Sequence, residues 1–240
     1  MTRPRCPDFI GIGAFRSGTS SLDAVLRDHP RVFVWKYKET YYWNKRYRKT
    51  PLAWYKRQFA VLPNLIAGEI TPSYFGQVGL GVAKRIKAGC PDAKFLLLLR
   101  DPVQTTISAY WMRRNWGKKD VKGVPLDEFA RRVAAGHYPL WVKRRDYGAL
   151  LEQWLEHFPL DRFWIAKSED LWQKPGPYAR RLWRFLEVPH RDVKKWPRKA
   201  HFKRHAKASD EALGRLRATF RPMEARLKAI LGNGFGWGID

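Results

Sequence analysis

The chain has 240 residues, with 47 Lys and Arg against 22 Asp and Glu, a formal net charge of +25 and a 45% share of hydrophobic residues. This suits one domain spanning 1–240, and the longest clean apolar run, Phe95 to Leu99, excludes a membrane span. The charge attracts polyanions: nucleic acid, an anionic polysaccharide and an anionic membrane surface all fit, as does a simply solvated basic surface. No repeat, low-complexity stretch or short nucleic-acid-binding signature is visible. Cys6 and Cys90 lack metal-ligand spacing, and MTRPRCPDF holds no apolar signal stretch, so reduced thiols and a cytoplasmic setting are expected.

Phe9, Ile10 and Ile12 make a short apolar strand, a turn follows with Gly11, Gly13 and Gly18, and Leu22, Val25 and Leu26 then share one helical face. Strand, glycine loop and helix in this order turn free N–H groups and the positive end of a helix dipole towards an anion. Arg16 supplies a cation, and Ser17, Thr19, Ser20 and Ser21 supply hydroxyls, so the expected ligand group is a phosphate. Gly13 and Gly18 keep the spacing of G-x-x-x-x-G-K-[ST], but Thr19 stands where the Lys belongs, which disfavours ATP hydrolysis.

Asp28, His29 and Pro30 end the first helix, and Val32 to Trp35 read as a second strand. In the following KYKETYYW, Glu39 stands beside Lys38 among aromatics. It is a candidate general base, or a surface Glu paired with Lys38. Asn44 to Gln58 reads as an exposed helix whose aromatics either stack on a sugar or pack into the core. A third strand covers Leu65 to Ile70, and a helix covers Val78 to Ala88.

Phe95 to Leu99 has the apolar continuity of a strand buried on both faces, and Asp101 can cap a helix that starts at Pro102. Arg100 at the strand end and Ser108 two turns along the helix suit a second phosphate. Helical pieces and loops are expected between Arg113 and Arg145. A helix over Tyr147 to Phe158, a strand over Phe163 to Ala166, a turn over Ser168 to Leu171 and a helix over Pro177 to Leu186 follow. Arg198 to Lys207 is a dense basic run. Ser209 caps a helix through Phe220, and Pro222 starts another that Gly232 ends. His29, His201 and His205 show no metal spacing.

The R-S-G-T of Arg16 to Thr19, together with R-D-P from Arg100 and a Ser eight residues after that Arg, resembles the sulfotransferases that use 3′-phosphoadenosine 5′-phosphosulfate (PAPS). GEITPSYF is similar to the E-K-[ST]-x-x-Y-F segment of heparan-type members, with Ile70 in place of the Lys. HFPLDRFWIAKSEDLWQKPGPYARRLWRFLEVP follows the family order over a further stretch. The resemblance implies a three-layer α/β fold, P-loop-like, with a central mostly parallel sheet flanked by helices. It also implies that Arg16, Ser17, Gly18, Thr19, Ser20 and Ser21 hold the 5′-phosphosulfate, that Arg100 and Ser108 hold the 3′-phosphate, and that Lys203 and Arg204 lie in a segment covering the nucleotide. Glu39 takes the catalytic base position with Arg16 as catalytic cation, Lys38, Tyr74 and Arg144 fall near the acceptor, and no metal is implied. The cation missing at Ile70 leaves Arg16 to carry more, or the acceptor differs from heparan.

The resulting expectation is sulfuryl transfer to a hydroxyl or amine of a carbohydrate, which the charge allows to be anionic. Arg rather than Lys in R-S-G-T is similar to the tyrosylprotein enzymes, so a tyrosine or small-molecule hydroxyl is the alternative acceptor. A nucleic-acid-binding protein with a degenerate phosphate loop is the alternative of another class, less favoured in the absence of any nucleic-acid-binding signature.

Overall fold

Five consecutive apolar residues, Phe95 to Leu99, can be buried only where both faces of their strand are covered, and this requirement governs the sheet. In the computed structural model, which describes residues 3–77, 81–197 and 207–238, they belong to β4 (Lys94–Leu99). The other strands are β1 (Phe9–Gly13), β2 (Val32–Val34), β3 (Ile66–Ile70) and β5 (Phe163–Lys167). All pair in parallel, in the order β2-β3-β1-β4-β5. Phe9 sits opposite both Gly68 and Lys94, Val32 opposite Ile66, and Phe95 opposite Phe163. The chain first builds one side of β1 with β2 and β3, then the other with β4 and β5. The carboxyl end of β1 is therefore the switch point at which ligands of such sheets bind.

The chain divides into two compact units, Met1–Leu99 with Gln153–Lys199 and Arg100–Glu152 with Ala200–Asp240. The first holds the whole sheet and the flanking helices α1 (Thr19–Asp28), α2 (Leu52–Arg57), α3 (Val82–Gly89), α8 (Ser168–Gln173) and α9 (Pro175–Phe185). Successive β4 side chains point to opposite faces. Leu96 and Leu98 join Phe9, Leu22, Leu26, Trp164 and Trp183 in one core cluster, while Phe95 meets Phe158, Phe163 and Trp154 at ring distances of 4.6, 4.9 and 5.3 Å.

Three local expectations fail here. The Asn44 to Gln58 stretch is not one exposed helix but a π-turn (Tyr42–Arg46) and the short α2, because Tyr42, Trp43, Tyr55 and Phe59 pack into one buried aromatic cluster. Ser168 to Leu171 opens a helix instead of making a turn, and its first residue reaches the loop after β1. Cys6 and Cys90 form a disulfide rather than two thiols, because β1 and the end of α3 bring their Cα atoms to 5.6 Å.

The second unit contains α4 (Pro102–Asn115), α5 (Leu126–Ala134), α6 (Pro139–Lys143) and α10 (Asp210–Leu231), and α7 (Tyr147–Leu155) begins in it. Asp101 caps α4 as expected, its carboxylate accepting the Val103 N–H at 2.7 Å. Val103, Ile107, Tyr110, Phe129, Val133, Leu216 and Phe220 form its core. Pro222 lies inside α10 and does not split it. Phe220 before it and Leu227 after it are both buried, so tertiary packing offsets the roughly 3 kcal/mol helical cost of a proline.

The disulfide closes a loop of 84 residues in sequence, a cross-link that constrains the unfolded chain by about 4–5 kcal/mol. Reduction, or Cys90→Ser, is expected to lower Tm by roughly 10 °C. Differential scanning calorimetry with and without a reductant checks this, and coincident melts would show that the bond carries no stability.

Candidate active site

The turn between β1 and α1 has the conformation that its glycines predict. Gly18 caps α1 at φ +83 with no side-chain cap, and a Cβ there would enter the left-handed region only 3.4 Å from Trp172. A Cβ on Gly13 would lie 2.7 Å from Phe75, so no side chain fits at that position. Arg16 also has positive φ, at 70°, inside the loop. The loop is anchored from two sides: the Ala14 N–H donates to the Leu98 carbonyl at 2.6 Å, and the Ser168 hydroxyl lies 2.5 Å from the Ser17 carbonyl and 3.0 Å from that of Leu99. Ser168, the first residue of α8, is a loop anchor that sequence reasoning missed. Ser17 is fully buried, and its Oγ has no hydrogen-bond partner among the described residues, an orphaned donor of the kind an anion in the loop would satisfy.

Lys38 and Glu39 follow β2, and Lys38 reaches the start of α1. The Lys38 Nζ donates to Thr19 Oγ1 and Ser20 Oγ, both at 3.3 Å, and lies 3.7 Å from the Glu39 carboxylate. Burial lowers the Lys38 pKa below the ordinary lysine value, and nearby Glu39 and Asp23 counter that shift. The structure thus brings Lys38, Glu39, Thr19 and Ser20 together at the start of α1. Tyr41 also hydrogen-bonds to Glu39, and burial together with this carboxylate raises the tyrosine pKa.

Beneath this segment lies Glu69 on β3, wholly buried. One of its oxygens, Oε2, accepts from Thr40 N–H at 3.0 Å, Thr40 Oγ1 at 2.6 Å and Thr71 Oγ1 at 2.6 Å. The other, Oε1, accepts from Tyr55 OH at 2.7 Å and Tyr74 OH at 3.3 Å. Burial raises its pKa, while the hydrogen bonds from Thr40, Thr71 and Tyr55 pull it back towards the carboxylate range. Tyr74 departs from its expected place near an acceptor: it is fully buried, its hydroxyl held by Glu69, Thr40 and the Trp43 N–H, so it shapes the site from inside.

In the second unit, Arg100 directly precedes the Asp101 cap, and Ser108 is partly exposed two turns into α4. Arg144 is exposed at the end of α6, whereas its neighbour Arg145 is buried. The Arg145 guanidinium donates to Thr105 Oγ1 at 3.2 Å, the Thr105 carbonyl at 3.2 Å and the Trp141 carbonyl at 2.7 Å, and burial lowers its pKa to about 10. The buried member of that basic cluster therefore braces α4, a role that sequence spacing did not separate from surface charge. Lys203 and Arg204 lie outside the described residues. Among the described residues no group of three or more His, Cys, Asp or Glu could hold a metal, and no helix is long and apolar enough to cross a membrane.

Residues 66–192 match the sulfotransferase family. The chain belongs to that family. Heparan sulfate glucosamine 3-O-sulfotransferase 3B1 of Mus musculus is 29% identical over 260 residues, which cover 96% of this chain and 65% of the relative. Heparan sulfate glucosamine 3-O-sulfotransferase 6 of Homo sapiens is 28% identical over 267 residues, covering 98% of this chain and 75% of that one. This chain thus spans under two thirds of the length of the first relative. The crystal structure of a sulfotransferase from Alicyclobacillus acidocaldarius superposes with a TM-score of 0.75 at 24% identity, covering 94% of this chain and 96% of that one, and shows the same fold.

Removing the Glu69 carboxylate strands several buried donors at once. Glu69→Ala is expected to cost about 3 kcal/mol or more of unfolding free energy, and Thr40→Val about 1 kcal/mol. Urea denaturation measures both, and an unchanged midpoint for Glu69→Ala would mean that its donors find other partners.

Proposed function

We propose that residues 1–240 act as one sulfotransferase domain that moves a sulfuryl group from PAPS to a hydroxyl or amine of a carbohydrate acceptor. The observation that carries this reading is the contact of Lys38 with the Thr19 and Ser20 hydroxyls at the start of α1, which has no side-chain cap, with the Glu39 carboxylate 3.7 Å from the same amine. A carboxylate that can take a proton stands beside a loop suited to an anion. The residues present fit the donor: Gly18, the buried Ser17 hydroxyl, and Thr19, Ser20, Ser21 and Arg16 suit its 5′-phosphosulfate, and the family spacing assigns Arg100 and Ser108 to its 3′-phosphate.

In this mechanism the acceptor oxygen or nitrogen attacks sulfur while its proton passes to Glu39. The bond from sulfur to the bridging oxygen breaks, and the electron pair leaves on adenosine 3′,5′-bisphosphate. Charge grows on that bridging oxygen, and Arg16 with the α1 N–H groups offsets it. The carbohydrate class rests on relatives named for heparan sulfate and on the +25 charge, which favours an anionic polymer. For compartment, the Cys6–Cys90 bond favours an oxidising setting over the cytoplasmic one that the low cysteine count suggested.

Adenosine 3′,5′-bisphosphate is expected to raise Tm more than 5′-AMP does, and Arg100→Ala is expected to remove the difference. Equal shifts from the two nucleotides in the wild type would sink the 3′-phosphate assignment. Glu39→Gln is expected to keep nucleotide stabilisation while transfer from labelled PAPS falls by about 10²–10⁴-fold. An active Gln variant would take Glu39 out of the base role.

A further inference from the structure

The sequence places Lys38 on the acceptor side, next to the general base, but its amine is turned to the other partner. Nζ points at Thr19 and Ser20, the first two residues of α1, where the loop meets its anion. Lys38 has φ 64, a left-handed conformation that an L residue adopts only where surrounding contacts hold it. Those contacts are present: the Lys38 carbonyl accepts the Ile70 N–H at 2.9 Å, its N–H donates to the Trp35 carbonyl at 2.8 Å, and Thr40 is fixed by Glu69. Ile70 is itself buried against Gly11, so the tip of β3 offers the loop an apolar side chain, and the backbone bound to that tip supplies the nearby amine.

From this placement, and resting on the sulfotransferase reading, we infer that Lys38 binds the donor: its ammonium contacts the phosphosulfate of PAPS and is the second cation of the loop beside Arg16. The two hydroxyls that hold Nζ are neutral acceptors, which an anionic oxygen outcompetes for a charged amine. The charged groups around Nζ are Glu39 on its own segment, Asp23 on α1 and Arg16 in the loop, two acids against one base. The two acids oppose the lowering of the amine's pKa by burial, and a cation so placed offsets charge on the leaving oxygen. Glu39 then has a role distinct from its neighbour: the carboxylate serves the acceptor and the amine serves the donor.

The test measures binding of PAPS and of adenosine 3′,5′-bisphosphate to the full chain by calorimetry, for wild type, Lys38→Met and Lys38→Arg. Lys38→Met is expected to weaken PAPS by about tenfold or more, with a smaller loss for the bisphosphate, while Lys38→Arg keeps most of the affinity. Because the amine titrates and a guanidinium does not, wild-type PAPS affinity is also expected to fall as pH rises towards the lysine range, and that of Lys38→Arg to stay level. This second comparison remains decisive if Lys38→Met does not fold. Unchanged PAPS binding by a folded Lys38→Met, or identical pH profiles for wild type and Lys38→Arg, would overturn the assignment. A wild type that binds neither nucleotide would instead overturn the sulfotransferase reading on which it rests.

Discussion

A carboxylate with no access to water holds the site in place. Glu69 sits near the end of β3, and its hydrogen bonds to Thr40 fasten the chain that follows β2 to the neighbouring strand. The fastening is needed because the segment is strained: Lys38 and Tyr41, on either side of Glu39 and Thr40, both have positive φ. Each such residue costs about 1–3 kcal/mol. A backbone hydrogen bond and four hydroxyls converging on one buried carboxyl group can offset that cost, where a single neutral contact could not. The same network fills the space under this segment with Tyr55 and Tyr74, so Lys38, Glu39 and Thr40 are backed by buried side chains.

Most of the sheet was legible because its signal is local. A buried parallel strand must be apolar on both faces, and Phe9 to Ile12, Phe95 to Leu99 and Phe163 to Ala166 announce themselves to within a residue. The cap at Asp101 and the glycine loop were legible for the same reason, since short polar residues and glycines at element ends have few other uses. What the sequence hid depends on partners far along the chain. Cys6 and Cys90 look like two isolated thiols until α3 returns to β1, and Trp43 and Tyr55 look like an exposed aromatic face until they meet. Ser168 reads as a turn residue because nothing nearby reveals that its hydroxyl bridges two carbonyls. The direction of Lys38 was hidden for another reason: non-glycine residues do not advertise a left-handed backbone, and with ordinary φ the side chain would leave on a different course.

The basic surplus also bears on the acceptor. With 47 cations and 22 acids, pairing every acid one to one still leaves 25 cations without an acidic partner, so ion pairs cannot consume the charge. Several ion pairs that do form are local and exposed, such as Arg215 with Glu211 and Arg131 with Glu128, where they add little to stability. A surplus of this size repels itself in the folded state and attracts polyanions over a long range. The proposed donor nucleotide would offset only a few of these charges, and the rest act over about one Debye length, roughly 8 Å in physiological salt. An acceptor that spreads many negative charges along its length meets that field, whereas a neutral small molecule gains nothing from it. An anionic polymer as the proposed acceptor is compatible with this charge, as are the other polyanions that a basic surface attracts.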